Sequence, residues 1–458
     1  MNVYKTQGNR LKSKSKSGYL GENLTAILIR GGEVINPRLK RRDTLDILIN
    51  NGRIKKIAKP GEIRINKEIN FEVIDATGMI VTPGLIDMHV HLREPGYEYK
   101  ETIATGGQAA AAGGYTAVAC MPNTKPVNDS TYVTAYIIKK AEEANLVRLY
   151  PIAAITKGEK GESIAEFEDL KRAGAVGFSD DGRPVFNSKI MRDALERASI
   201  LEMPVISHCE DLYLSKDGVM HEGDVSARLG LQGIPSASEE IMVIRDILLA
   251  KLTKCPVHIA HVSTEDSVRF IAQAKEEGVP VTAETAPHYF SLDHSAVIEF
   301  GANAKMYPPL REQGDIEAIK KGLASGVIDV IATDHAPHSP KEKAMGMRKA
   351  PPGIIGLQTA LSLTLDLVRE GVMDLITAVA KLTCGPARIL GIAGGVIEEG
   401  LEADLTIIDL NVHYSLNTKD IKSKSHNSPF IGRPLKGKAV LTMVGGRVVY
   451  KDNRVFQQ

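Results

Sequence analysis

Eight short β-rich runs alternate with helix-length segments through the middle of this 458-residue chain, and strand-rich stretches enclose them at both ends. The pattern predicts an α/β protein, a (β/α)8 barrel carrying a small β-sandwich domain built from both chain ends. A third observation marks the working end of such a barrel. Residues with metal-binding side chains stand at the C-terminal ends of five of the eight runs, which is the face where such barrels build their active sites.

Residues 1–25 carry Lys5, Arg10, Lys12, Lys14 and Lys16 in a Ser/Lys alternation with no apolar core. They read as a disordered basic tail rather than a secretory signal, with a basic anchor for an acidic partner as the alternative. Within 26–82, AILIRGGEVINP, TLDILINNGRIKKIA and FEVIDATGMIVTPG read as strands, with Gly31-Gly32 and Asn51-Gly52 as turns. Within 393–458, ADLTIIDL and AVLTMVGGRVVY have the same character, and Gly445-Gly446 is a hairpin turn. The barrel spans 83–392, with strand runs GLIDMHVH, YTAVACM, RLYPIAA, AVGFSD, PVISH, PVHIAH, PVTAET and DVIATD. Helix-like segments lie between most of them, at 129–145, 163–173, 188–201, 237–254 and 264–277.

Composition sets limits on function. The chain is 43% hydrophobic and 25% charged with a net charge of +1, so no overall field favours nucleic acid or an anionic membrane. No apolar run approaches the ~20 residues of a membrane helix. Cys120, Cys209, Cys255 and Cys384 are scattered without a C-x-x-C pair, which points to a reducing, cytoplasmic setting rather than a disulfide framework.

The stretch D-M-H-V-H-L-R-E-P-G, residues 87–96, carries the first chemical signal. Side chains alternate faces along a strand, so His89 and His91 point the same way and can share a metal ion. An isolated H-x-H is more often two ordinary polar residues at a strand end. The other strand ends decide between these readings: Asn123 follows the second run closely, the fourth ends in Asp180-Asp181, the fifth in His208, the sixth in His261 and the eighth in Asp334. That set exceeds the three protein ligands of a catalytic zinc. A carboxylate shared between two ions would use it fully. Two ions ~3.5–4 Å apart activate water and polarise a carbonyl, so the chemistry indicated is metal-assisted hydrolysis of an amide-like bond.

D-M-H-V-H-L-R-E-P-G, together with G-F-S-D-D-G, A-T-D-H-A-P-H (332–338) and T-C-G-P-A-R-I-L-G (383–391), resembles the cyclic amidohydrolase superfamily. Within it, the chain is similar to the bacterial-type dihydroorotases from about residue 26 onward. The resemblance implies two zinc ions per subunit, with His89, His91 and Asp334 on one and His208 and His261 on the other. Dihydropyrimidinases and many allantoinases bridge the pair with a carboxylated lysine at the end of strand four. That strand here ends in G-F-S-D-D-G, which resembles the group that bridges with aspartate, and family spacing selects Asp181. Asp180 is then structural.

The resemblance further implies Asp334 as general base and acid, and a substrate pocket of His91, Arg93, Asn123, His338, Pro352 and Gly353. Arg93 suits a bidentate grip on a carboxylate; the alternative is a surface ion pair with Glu94 or Glu98. Asn123 can meet a ureide edge, or serve as a turn residue ahead of Pro126. His258 is read as packing, His288 as near the site, and Cys209 as a small buried hydrophobe. Segment 338–350, poor in apolar residues, is read as a mobile lid. One departure stands out, since the family writes K-x-N-P-P-L-R where this chain has Tyr307 in place of the asparagine. A phenol can donate one bond to a substrate ring but lacks the paired donor and acceptor of an amide.

The implied activity is reversible hydrolysis of (S)-dihydroorotate to N-carbamoyl-L-aspartate in pyrimidine synthesis. Alternatives are another cyclic amidase, an allantoinase or hydantoinase, or an inactive scaffold for aspartate transcarbamoylase. The implied partners are the small-molecule substrate, a second copy in a homodimer and, optionally, aspartate transcarbamoylase, with neither nucleic acid nor membrane.

Overall fold

The computed structural model describes residues 26–64 and 71–457, so the predicted basic tail lies outside the described residues. The barrel strands are Leu85–Val90, Tyr115–Cys120, Arg148–Ala153, Gly177–Phe178, Ile206–Ser207, Val257–Ile259, Val281–Thr285 and Val330–Ile331, one within each predicted run. The first four pair in parallel, as do the last four. Parallel bridges at Phe178–Val205 and Val90–His335 join the two sets into a closed ring. Side chains from five of the strands, Met88, Ala119, Ile152, Ile206 and Val330, meet in one buried cluster with Leu390.

The crossover helices form for ordinary reasons. Ser188–Ile200 buries Met191, Ala194, Leu195 and Ala198, one stripe at helical spacing, and the Asn187 side chain caps it by accepting from Lys189 N. Glu265–Glu276 is capped in the same way by Thr264. Helices Thr131–Ala144 and Ala237–Thr253 lie within a residue or two of expectation. The predicted helix at 163–173 begins later, at Phe167. Its first residues are drawn into extended pairing, with Ala165 N bonded to Ile155 O and Lys157 N to Ser163 O.

The two chain ends build one nine-stranded sheet. The join between them is Ile80–Pro83, which pairs antiparallel with Leu405–Ser415. Asn51-Gly52 turns with φ of 51° and 75°, and Gly445-Gly446 with 54° and 76°, the left-handed pairs that a tight hairpin requires. Gly31-Gly32 is not a turn. It lies inside strand Ala26–Asn36 as a bulge, with a register shift between Ile29 and Gly32. A Cβ at Gly32 would stand 2.5 Å from Val81 Cγ2, so the glycine serves close packing. The sheet has its own core, including Ile29, Ile47, Ile54, Val81, Leu405 and Met443.

Two features tie sheet and barrel together. Arg148, at the start of the third barrel strand, forks onto Asp404 at 2.7 and 3.2 Å, while Asp404 also accepts Gly445 N at 2.6 Å. The excursion between strands Leu405–Ser415 and Pro434–Val444 leaves the sheet and reaches the barrel mouth. There Asn427 Nδ2 donates to Ala336 O and Gly353 O, both at 2.9 Å. Asp404→Ala strips the Arg148 fork of its acceptor, and a hydrogen bond to a charged group is worth about 1.5–3 kcal/mol. The thermal midpoint of the variant should fall by several degrees in calorimetry; an unchanged midpoint would show that the tie carries no stability.

Candidate active site

The barrel brings the six predicted metal-type ligands to one buried point. Asp181 is the centre. Its Oδ1 lies 3.3 Å from His89 Nε2, 3.5 Å from His208 Nδ1 and 3.4 Å from His261 Nε2, and its Oδ2 lies 3.3 Å from His91 Nε2. Asp334 Oδ1 stands 3.1 Å from His91 Nε2 and 3.7 Å from His89 Nε2. Arg93, His261 and Asp334 all have left-handed backbones, with φ of 61°, 33° and 46°. Such conformations cost a non-glycine residue of order 1–3 kcal/mol and cluster at functional sites. Here they turn three side chains off the strand ends toward the barrel axis.

The outward nitrogens explain why the inward ones are aimed as they are. His89 Nδ1 donates to Glu284 Oε1 at 2.5 Å, His91 Nδ1 to Asn123 Oδ1 at 2.9 Å, and His208 Nε2 to Glu210 Oε2 at 3.0 Å. Each bond fixes the ring's orientation and leaves its other nitrogen facing Asp181. Glu284 and Glu210 were not singled out from the sequence. The available signal was a carboxylate near the end of strand seven and another two residues past His208. His258 does more than pack, since its Nε2 lies 3.3 Å from Glu284 Oε2 and its Nδ1 2.8 Å from Thr282 Oγ1. Asp180 turns away, as expected, to accept Thr156 N at 3.0 Å. Cys209 is buried, with its thiol pushed well above the ordinary range by that burial.

The electrostatics call for positive charge at the centre. Burial alone would raise the Asp181 and Asp334 carboxyls, yet the surrounding imidazoles hold both below the usual range. Burial alone would lower His208, yet Asp181 and Glu210 bring it to about 10. His208 Nδ1 and His261 Nε2 stand 2.7 Å apart, and His89 Nε2 and Asp181 Oδ1 have no hydrogen-bond partner. Imidazole nitrogens and carboxylates crowded this closely fit a metal ion, and two of the three groups among the described residues with the geometry of a metal site lie here: His89, His91 and Asp181, and Asp181, His208 and His261.

Beside this centre is a cavity of about 210 Å³. His91, Arg93, Asn123, His338, Pro352 and Gly353 all line it, with Tyr307. Arg93 is 9% exposed and makes no ion pair with Glu94 or Glu98; its Nε donates to Pro337 O at 3.2 Å and its Nη2 lies 3.3 Å from His338 Nε2. A Cβ at Gly353, where φ is +150°, would stand 2.5 Å from Ala336 O and 2.7 Å from His338 Cδ2, so only glycine lets the two segments meet. Asn123 is committed on both sides, accepting from His91 and donating to Asp181 O at 3.3 Å. The Tyr307 hydroxyl donates to Gly218 O instead of toward the cavity. His288 is buried, and burial lowers it to about 4. Segment 338–350 holds two short helices, Pro340–Lys343 and Gly346–Lys349, latched by Lys100 Nζ to Glu342 Oε1 at 2.9 Å. A larger cleft of about 760 Å³, beside Asp329 and Lys381, lies toward the N-terminal ends of the barrel strands, away from this chemistry.

Barrel and site together define an amidohydrolase. An amidohydrolase family model matches residues 254–450, and a dihydro-orotase-like model matches residues 78–267. The L-hydantoinase (dihydropyrimidinase) of Arthrobacter aurescens superposes with a TM-score of 0.84 at 26% identity, covering 94% of this chain and 97% of that one. The dihydropyrimidinase of Brevibacillus agri shares the fold with a TM-score of 0.82 at 24% identity, covering 94% and 96%. The dihydroorotase of Geotalea daltonii is 54% identical over 425 residues, 93% of this chain and 99% of that protein. That of Pelotomaculum thermopropionicum is 53% identical over 427 residues, again 93% and 99%. The chain belongs to the dihydroorotase family.

Asp181→Ala removes the one carboxylate that four imidazoles face. Elemental analysis after dialysis should find markedly less divalent metal in this variant than in wild type, and equal content would exclude Asp181 from the metal centre.

Proposed function

We infer that this chain catalyses the reversible hydrolysis of (S)-dihydroorotate to N-carbamoyl-L-aspartate. The observation that carries the reading is Arg93, a buried guanidinium on the cavity wall with no ion-pair partner among the described residues. A hydantoin or dihydrouracil ring has no carboxylate for it. Dihydroorotate has one, and the family relationship supports the same substrate.

We assign His89, His91 and Asp334 to one zinc ion, His208 and His261 to a second, and Asp181 to the bridge between them. Metal bound there supplies a Lewis acid for the ring carbonyl and a water of lowered pKa. The protein's own part is orientation and proton transfer. Arg93 and His338 grip the exocyclic carboxylate, while Asn123 and the backbone at Pro352 and Gly353 border the ring. Water oxygen adds to the ring amide carbon and the C–N bond breaks. The Asp334 carboxylate, ionised because His91 holds it below the usual range, takes the proton and returns it to the leaving nitrogen. That nitrogen becomes the terminal amine of the carbamoyl group. Segment 338–350 covers the cavity and excludes bulk water. Tyr307 acts as a wall, since its hydroxyl is already bonded.

The wider reading has the same supports. The nine-stranded sheet, with its own core, is proposed to fold over itself as a two-layered unit of 26–82 and 393–458 beside the 83–392 barrel. A cytoplasmic homodimer is proposed, optionally associated with aspartate transcarbamoylase. It is supported by four free cysteines and by Ile241, Leu248 and Leu252, exposed together along helix Ala237–Thr253. No described helix is long and apolar enough to cross a membrane. A monomer by light scattering would remove the dimer.

Asp334→Asn should keep at least one metal ion yet lose about 10²–10⁴-fold in turnover of dihydroorotate; a rate within a few-fold of wild type would place the base elsewhere. Arg93→Met should lower kcat/KM for dihydroorotate by about 10²-fold or more, since breaking a desolvated charge pair costs about 2–5 kcal/mol. Dihydrouracil, the same ring without the carboxylate, should lose far less. Equal losses for the two substrates would make Arg93 a structural cation.

A further inference from the structure

The carboxylate end of the cavity holds an arrangement that its wall residues do not explain alone. His338 has a cation at each ring nitrogen, with Arg93 Nη2 3.3 Å from Nε2 and Lys100 Nζ 3.3 Å from Nδ1. Ammonium and guanidinium groups offer donors only. A neutral imidazole accepts at one nitrogen and donates at the other, so it can satisfy one of these cations and must oppose the other. Burial, with Arg93, Lys100 and Lys343 nearby, holds His338 far below the ordinary histidine range, so the neutral ring is the relevant form.

Which nitrogen accepts decides what the cavity can bind. Were Nε2 the acceptor, Arg93 would be spent on the histidine. Were Nδ1 the acceptor, Nε2–H and the guanidinium would both point donors at the same space. Lys100 is placed to impose the second state. It does not line the cavity, whereas Arg93 and His338 both do, so no substrate competes for its ammonium. It is held in place by Glu342 Oε1 at 2.9 Å and by the faces of Tyr97 and Tyr99, at 5.3 and 5.6 Å. The ring is fixed too, with His338 N donating to Asn427 Oδ1 at 2.9 Å and its edge packed against Gly353.

We propose that Lys100 is the positioning residue that puts the His338 proton on Nε2, frees Arg93, and so reserves this end of the cavity for a carboxylate. The proposal rests on the dihydroorotate reading above. Two donors 3.3 Å apart match the two oxygens of a carboxylate. The edge of an uncharged ring amide, which alternates donor and acceptor, would meet one of them donor to donor. Lys100 thus acts on specificity without touching substrate.

The test uses metal-loaded full-length protein with nitrogen-15 histidine labelling, the His338 signals being assigned by their loss in His338→Gln. Wild type should show the Nε2–H tautomer and Lys100→Met the Nδ1–H tautomer. Lys100→Met should raise KM for dihydroorotate about tenfold, the scale of one charge-assisted hydrogen bond, with a smaller effect on kcat. Its loss in kcat/KM for dihydroorotate should exceed that for dihydrouracil. Lys100→Arg, which restores a donor, should recover both the tautomer and KM. Glu342→Gln turns the ion pair into a neutral hydrogen bond while the Tyr97 and Tyr99 faces still hold the Lys100 ammonium, and should leave the tautomer as in wild type. An Nε2–H proton retained in Lys100→Met would overturn the proposal. So would Glu342→Gln reproducing the tautomer change and the KM rise, since Lys100 would then be only half of a lid latch. Wild-type protein that fails to turn over dihydroorotate would remove the substrate reading but not the tautomer result.

Discussion

Everything at the barrel mouth depends on one carboxylate, Asp181, faced by four imidazole nitrogens at 3.3–3.5 Å. Burying charge is costly unless it is compensated, and here the compensation is arranged in shells. Inward ring nitrogens converge on the carboxylate, and outward N–H groups are handed to Glu284, Asn123 and Glu210 so that the rings cannot turn. The left-handed backbones at His261 and Asp334 persist because further buried groups brace the neighbouring residues of the chain. Glu239 accepts Ser263 N at 3.0 Å and Thr264 N at 3.3 Å just past His261. His335, next to Asp334, is held by Gly356 N at 3.2 Å and Glu101 at 3.4 Å.

The cavity is electrostatically two-ended. Its metal end gathers Asp181, Asp334, Glu284 and Glu210, and its far end gathers Arg93, Lys100, Lys305 and Lys343. Burial lowers Lys305 to about 8 and Lys343 to about 7, because an ammonium is costly to hold away from water. Such a field favours a ring bearing one carboxylate with its charged group at the cationic end and its amide at the other. Orientation of this kind supplies much of the advantage of a bound over a free reaction.

The excursion at 416–433 shows how the two architectural units share one site. It belongs to the sheet by sequence, but Asn427 ties the backbone of Ala336, His338 and Gly353 together. Cavity-lining residues from two barrel loops are thereby fixed by a third segment from the far end of the chain.

Local pattern was enough to read the eight strands, most of the crossover helices and the six His and Asp side chains that the barrel brings together. Strand alternation and strand-end position are properties of short segments, and a His or Asp at such an end has few neighbours that could change its meaning. The bulge at Gly31-Gly32, the late start at Phe167 and the other duty of Tyr307 were not legible. Each depends on a residue far away in sequence or on the partner strand, namely Val81, Ile155 and Gly218. The same holds for Glu284, Glu210 and Lys100, which look like ordinary charged residues until folding brings them against His89, His208 and His338. The sequence by itself determined which chemistry the strand ends could support. The tertiary structure alone decided how each imidazole is aimed, because a tautomer is set by a neighbour's lone pair and not by any pattern along the chain.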